Sequence, residues 1–198
     1  MTTATKITMF RLVAVPFFIA ASVGYGLAGY EGDHAAADRW RWGMFWIFTL
    51  AAISDGIDGW VARKFNQQSA FGAALDAVAD KTLMFSALMA LTFLPGDFVR
   101  LPAWYTLLVV VRDASTVAGA TWLHYRGRRL EVKPHLTGKA ATVVQLVCIG
   151  WALLQIRVPD IVWPVGLATA LTFISGLLYL RDGLKLRTRE KRERSELG

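Results

Sequence analysis

Uncharged runs about as long as a bilayer is thick recur along this chain, separated by short stretches in which Lys, Arg, Gly and Pro collect. A spanning helix needs about 20 mostly apolar residues to cross roughly 30 Å of hydrocarbon. Six runs meet that length, approximately Thr8 to Gly29, Trp42 to Val61, Ala73 to Leu94, Pro102 to His124, Leu136 to Ile156 and Ile161 to Leu180. The pattern predicts an all-α integral membrane protein, a bundle of six transmembrane helices over residues 1–181 with a basic tail over 182–198. No internal repeat or low-complexity linker divides the bundle. Lys6 and Arg11 ahead of Phe17, Phe18 and Ile19 lend the first run the look of a signal peptide. Its apolar length and the lack of a clear A-x-A cleavage site favour a retained helix, in which Pro16 predicts a local kink.

Composition agrees with the pattern. The 198 residues are 55% hydrophobic and 19% charged, too apolar for an ordinary soluble surface, and eight Trp, eleven Phe and five Tyr supply interfacial anchors. A single cysteine, Cys148, lies inside an apolar run, which excludes a disulfide framework and a Cys-rich zinc site. In a soluble protein the net charge of +7 would suggest nucleic acid. In a membrane protein it marks cytoplasmic loops and attraction to anionic lipid, and no nucleic-acid partner is expected. Fifteen Lys and Arg fall in the connections and tail on one side of the bundle, and four, Arg39, Arg41, Arg100 and Arg157, fall on the other. That asymmetry places both termini in the cytoplasm. The segment from Arg181 to Gly198 mixes seven basic with four acidic residues and reads as a solvated helix end or disordered tail rather than a specific lipid site.

Carboxylates interrupt the apolar pattern. Asp55 and Asp58 come late in the second run, Asp76 and Asp80 early in the third, and Asp113 in the fourth. An ionised Asp near a helix centre costs about 2.5 to 3.5 kcal/mol on insertion scales, and less toward the interface. The three-residue and four-residue spacings put each pair on one face of its helix, and a short antiparallel connection brings the pairs together at the cytoplasmic boundary. Carboxylates without nearby His or Cys suit Mg, Mn or Ca and do not suit zinc. His34, in an outer loop, and His124 and His135, flanking a cytoplasmic loop, read as ordinary solvated histidines. Salt bridges to Arg63, Lys64 and Lys81 could neutralise part of the cluster, but Arg63 and Lys64 are free to snorkel to water, and the spacing serves two metal ions better.

Written out, the segment runs Asp55-Gly56-Ile57-Asp58-Gly59-Trp60-Val61-Ala62-Arg63, then Gly72, Asp76 and Asp80. It matches the D-x2-D-G-x2-A-R-x8-G-x3-D-x3-D signature over 26 residues, and so resembles the CDP-alcohol phosphatidyltransferase family. The other runs fit that family's six-helix membrane bundle. The resemblance implies transfer of a phosphatidyl group from CDP-diacylglycerol to an alcohol, with release of CMP. It implies Asp55, Asp58, Asp76 and Asp80 as ligands of Mg2+ or Mn2+ in a two-metal site, Asp80 also as the general base, and Asp58, Gly59, Ala62, Arg63 and Gly72 as the CDP-binding residues. It further implies a homodimer in the inner (cytoplasmic) membrane, with membrane lipid as a partner and its active site facing the cytoplasm. The small residues have a second reading as helix packing, shared with Ala70, Ala73, Ala74 and Ala77.

The acceptor rests on other segments. Ile7-Thr8-Met9-Phe10-Arg11 with Pro16, and Thr137-Gly138-Lys139-Ala140-Ala141-Thr142-Val143-Val144-Gln145, resemble both phosphatidylglycerophosphate synthases and CMP-forming cardiolipin synthases. Arg112-Asp113 followed by an arginine-free stretch from Thr116 to Trp122 looks more like cardiolipin synthase, since the other group usually carries Arg-Glu and a second arginine. Phosphatidylglycerol is therefore the leading expected acceptor and glycerol 3-phosphate the second, with Arg112 and Lys139 facing the acceptor phosphate. An internal pair of Arg112 with Asp113 or with the Asp cluster is the competing reading. From a different class, a cation or proton transporter would also hold intramembrane carboxylates, but these gather at one boundary and no paired halves are visible.

Overall fold

The computed structural model describes residues 3–65, 70–95, 99–125 and 136–177, with side chains for 9–54, 78–95, 99–118, 138 and 140–177. Among the described residues there are helices and no strands. The helices are α1 (Thr3–Glu31), α2 (His34–Phe65), α3 (Ala70–Phe93), α4 (Ala103–Tyr125), α5 (Leu136–Leu153) and α6 (Val162–Leu177). They follow the six apolar runs, and α1 continues through Pro16 as one helix. Within α1, Met9–Glu31 is long and apolar enough to cross a membrane, while Ala140–Leu153 and Val162–Leu177 are shorter apolar helices. The 182–198 tail and the loop holding Arg126, Arg128, Arg129 and Lys133 lie outside the described residues.

The chain divides into two compact units. One comprises Met1–Thr106 with Leu146–Ile161, the other Leu107–Gln145 with Val162–Gly198. In the first unit, α1 packs on α2 and α3. Its buried stripe, Arg11, Ala14, Val15, Phe18, Ala21, Ser22, Tyr25 and Ala28, follows the three-and-four spacing of a helix face. The buried stripe of α2 is Ala37, Arg41, Met44, Phe48 and Ala51. On α3 it runs Ala79, Leu83, Ala87, Leu88 and Leu91. The remaining surface of α1 is also apolar, with Phe10, Val13, Phe17, Val23 and Leu27 exposed. A helix that is apolar all round and half exposed is poorly matched to water and well matched to hydrocarbon. Ser and Thr hydroxyls fit that setting by bonding back to their own helix: Ser22 to the Phe18 carbonyl at 2.8 Å, Thr82 to Val78 at 2.7 Å, Ser86 to Thr82 at 2.8 Å and Thr169 to Val165 at 2.8 Å.

The α1–α2 connection is shorter than expected. The stretch holding His34, Arg39 and Arg41 reads as an outer loop in the sequence, yet α2 begins at His34. Gly32, at φ +74°, turns the chain, and the Asp33 carboxylate accepts the Ala36 N–H at 2.9 Å as an N-cap. Arg41 tolerates burial because its charge is answered: it donates to the Asp38 carboxylate at 3.1 and 3.2 Å and to the Leu153 carbonyl at the end of α5 at 2.9 Å. A cation at a helix C-terminus is favourable, and this one also lies 5.2 Å from the Trp42 ring centroid. Arg41→Met is expected to cost about 1 to 2 kcal/mol, since the last carbonyl of α5 loses its donor. Thermal melting of the purified protein in detergent should fall by roughly 3 to 6 °C.

Candidate active site

The four signature carboxylates lie on α2 and α3. Asp55, Asp58, Gly59, Ala62 and Arg63 occupy the last part of α2, and Gly72, Asp76 and Asp80 the first part of α3. The side chains of these residues other than Asp80 lie outside the described residues. Asp80 is half-buried and has a partner. By sequence spacing, positions 55 and 58 fall in line with 44, 48 and 51 on α2, and 76 and 80 with 83 and 87 on α3.

Contacts made by α1 give the heights of these positions. Phe18 meets Phe48 with ring centroids 6.3 Å apart, and Gly24 lies so close under Trp40 that a Cβ would approach its ring to 2.6 Å. Seven residues back from Phe18 is Arg11, and seven residues on from Phe48, along antiparallel α2, is Asp55. Gly26 faces Leu94 just past the end of α3, where a Cβ would lie 3.1 Å from its side chain. Fifteen residues back from Gly26 is again Arg11, and fourteen back from Leu94 is Asp80. At about 1.5 Å per residue, Asp55 and Asp80 are level within about 2 Å, and Asp58 and Asp76 form a second layer about 5 Å nearer the α2–α3 connection.

The donor set is hard oxygen. α3 contains no His or Cys, and α2 only His34, at its opposite end. Such a set fits Mg2+ or Mn2+. Among the described residues, which leave out the side chains of Asp55, Asp58 and Asp76, no group of three or more His, Cys, Asp and Glu side chains could hold a metal ion.

In the second unit, Arg112 of α4 donates from Nη1 to the Asp113 carboxylate at 2.8 Å, each side chain being 15% exposed. Its Nη2 reaches the Gly138 carbonyl at 3.4 Å, one residue before Lys139 on α5. The internal pair weighed from the sequence is thus present. The same guanidinium touches the backbone that carries Lys139, whose side chain lies outside the described residues. Gln145, two turns further along α5, is fully buried, and neither its amide oxygen nor its nitrogen bonds to a described residue. Sequence reasoning left Arg11 unassigned, although its spacing to Ala14, Val15 and Phe18 on the buried stripe was the available signal.

Comparison with known proteins adds identity to this geometry. The model of the CDP-alcohol phosphatidyltransferase family matches residues 1–178. A Mycobacterium tuberculosis protein described as a probable phosphatidylglycerophosphate synthase is 39% identical over 186 residues, which cover 92% of this chain and 81% of its own length. CDP-diacylglycerol–glycerol-3-phosphate 3-phosphatidyltransferases of Escherichia coli K12 and Shigella flexneri are each 33% identical over 177 residues, covering 89% of this chain and 87% of theirs. With the signature intact and the match spanning all six helices, this chain belongs to the CDP-alcohol phosphatidyltransferase family and is a phosphatidyltransferase.

Proposed function

We propose that this protein transfers the phosphatidyl group of CDP-diacylglycerol to glycerol 3-phosphate, forming phosphatidylglycerophosphate and CMP. The observation that carries the acceptor is the relatives' printed activity, phosphatidylglycerophosphate synthesis, at 33% and 39% identity over nearly the whole chain. It favours the second of the two acceptors expected from the sequence over phosphatidylglycerol. Arg112-Asp113 and the arginine-free stretch after it, which pointed toward cardiolipin synthesis, are a local distinction within one helix set against likeness along nearly the whole chain.

The reaction is one substitution at phosphorus. The glycerol hydroxyl oxygen bonds to the phosphorus that carries the diacylglycerol, the bond from that phosphorus to the CMP phosphate breaks, and the hydroxyl proton passes to Asp80. Asp55, Asp58, Asp76 and Asp80 would hold Mg2+ or Mn2+, which supplies charge neutralisation for the diphosphate and the departing CMP. Gly59, Ala62 and Gly72 keep the helix surfaces low where cytidine would lie, and Arg63 offers a fork of donors to its phosphates. Arg112 and Lys139 would bind the phosphate of the acceptor. The bundle would sit in the inner membrane with six spans and both termini in the cytoplasm, where glycerol 3-phosphate is dissolved, and act as a homodimer. The cationic excess of fifteen against four supports that orientation.

Purified protein in detergent, given CDP-diacylglycerol, Mn2+ or Mg2+, and equal glycerol 3-phosphate and phosphatidylglycerol, is expected to form phosphatidylglycerophosphate as its main product by mass spectrometry. Cardiolipin as the main product would reverse the acceptor assignment. Metal-independent turnover would remove the metal role.

A further inference from the structure

Arg11 is completely enclosed, with 0% exposure, on the buried stripe of α1. A guanidinium keeps its charge in any protein environment, so a dry position for it demands acidic counter-charge. Arg11 does have a partner. Glu31 and Asp38 stand at the opposite ends of α1 and α2, so the acidic residues of α1, α2 and α3 near Arg11 in height are Asp55, Asp58, Asp76 and Asp80. Two independent registers, through Phe18–Phe48 and through Gly26–Leu94, bring Arg11 level with Asp55 and with Asp80.

We propose that Arg11 is the built-in counter-charge of the carboxylate cluster, a positioning residue that holds the carboxylates together before metal arrives and weakens their grip on it. This rests on the reading of those four residues as metal ligands. Complete enclosure keeps Arg11 from substrate, so it acts through the carboxylates. A fixed cation and a divalent ion compete for the same negative charge, which sets the sign: neutralising Arg11 destabilises the metal-free protein and tightens metal binding.

The test is thermal melting of the full chain in detergent, with EDTA and across a Mn2+ titration. Arg11→Met should melt below the parent in EDTA, and its half-saturating Mn2+ concentration should be about tenfold lower. Arg11→Lys keeps the charge and should stay within about twofold of the parent. Equal destabilisation of the Met variant with and without Mn2+, at unchanged Mn2+ affinity, would assign Arg11 to packing and overturn the proposal. If Arg11→Met does not accumulate, adding Asp55→Asn or Asp80→Asn should restore it, because the pair is then removed together; failure of both rescues would also overturn it. A parent that responds to neither Mn2+ nor Mg2+ would remove the metal reading itself, and this inference with it.

Discussion

An Asp80→Asn protein is expected to fold as well as the parent and to release CMP about a thousandfold more slowly, within the range typical of losing a general base. Asn has nearly the shape of Asp, and position 80 is half-buried on α3 beside buried Ala79 and Leu83. The exchange therefore leaves the packing of α1 on α3 intact. On the proposed site it removes one of four negative charges and relieves repulsion, so melting in EDTA should not fall. The loss is confined to chemistry: the amide cannot accept the proton of the attacking hydroxyl, and it is a weaker metal ligand. CMP release measured by chromatography, with melting curves of the same preparation, separates the two effects. Parent-rate release by a folded Asn variant would strip Asp80 of the base role and leave the reaction to other carboxylates.

How far the sequence carried depends on whether a feature repeats. The helices were legible because apolar runs and breakers recur at membrane length, and all six runs correspond to helices. That each carboxylate pair shares one face of its helix was legible because three-residue and four-residue spacings fix a helix face without any tertiary knowledge. The start of α2 was not, because Arg39 and Arg41 make an averaged stretch look like a loop, while the partner that admits Arg41 to the interior is the Leu153 carbonyl, 112 residues away. Arg11 was hidden for the same reason. In one dimension it is a charge ahead of an apolar run, and only contacts with α2 and α3 show its height to be that of Asp55 and Asp80. The acceptor was least legible, since the choice hangs on a few side chains around Arg112 rather than on any periodic pattern.

Arg112 carries the second large expectation: Arg112→Met should raise KM for glycerol 3-phosphate by about a hundredfold and leave KM for CDP-diacylglycerol unchanged, as expected for losing charge-assisted hydrogen bonds to a phosphate. The guanidinium spends one nitrogen on Asp113 at 2.8 Å and reaches toward Gly138 with another at 3.4 Å. That clamp fixes its plane while leaving donors for a ligand, which is how a preorganised arginine binds phosphate at low entropic cost. A purely structural arginine predicts a different outcome. Its loss would leave Asp113 short of its cation, lower the melting temperature and reduce kcat, with acceptor KM unmoved; a second change, Asp113→Asn, would then recover most of the activity. Under the binding role the double variant recovers stability alone and stays poor in KM for glycerol 3-phosphate. Arg112→Lys sharpens the distinction: a point charge cannot hold Asp113 and Gly138 and still offer a planar fork, so its KM should fall between those of the parent and the Met variant, about tenfold above the parent.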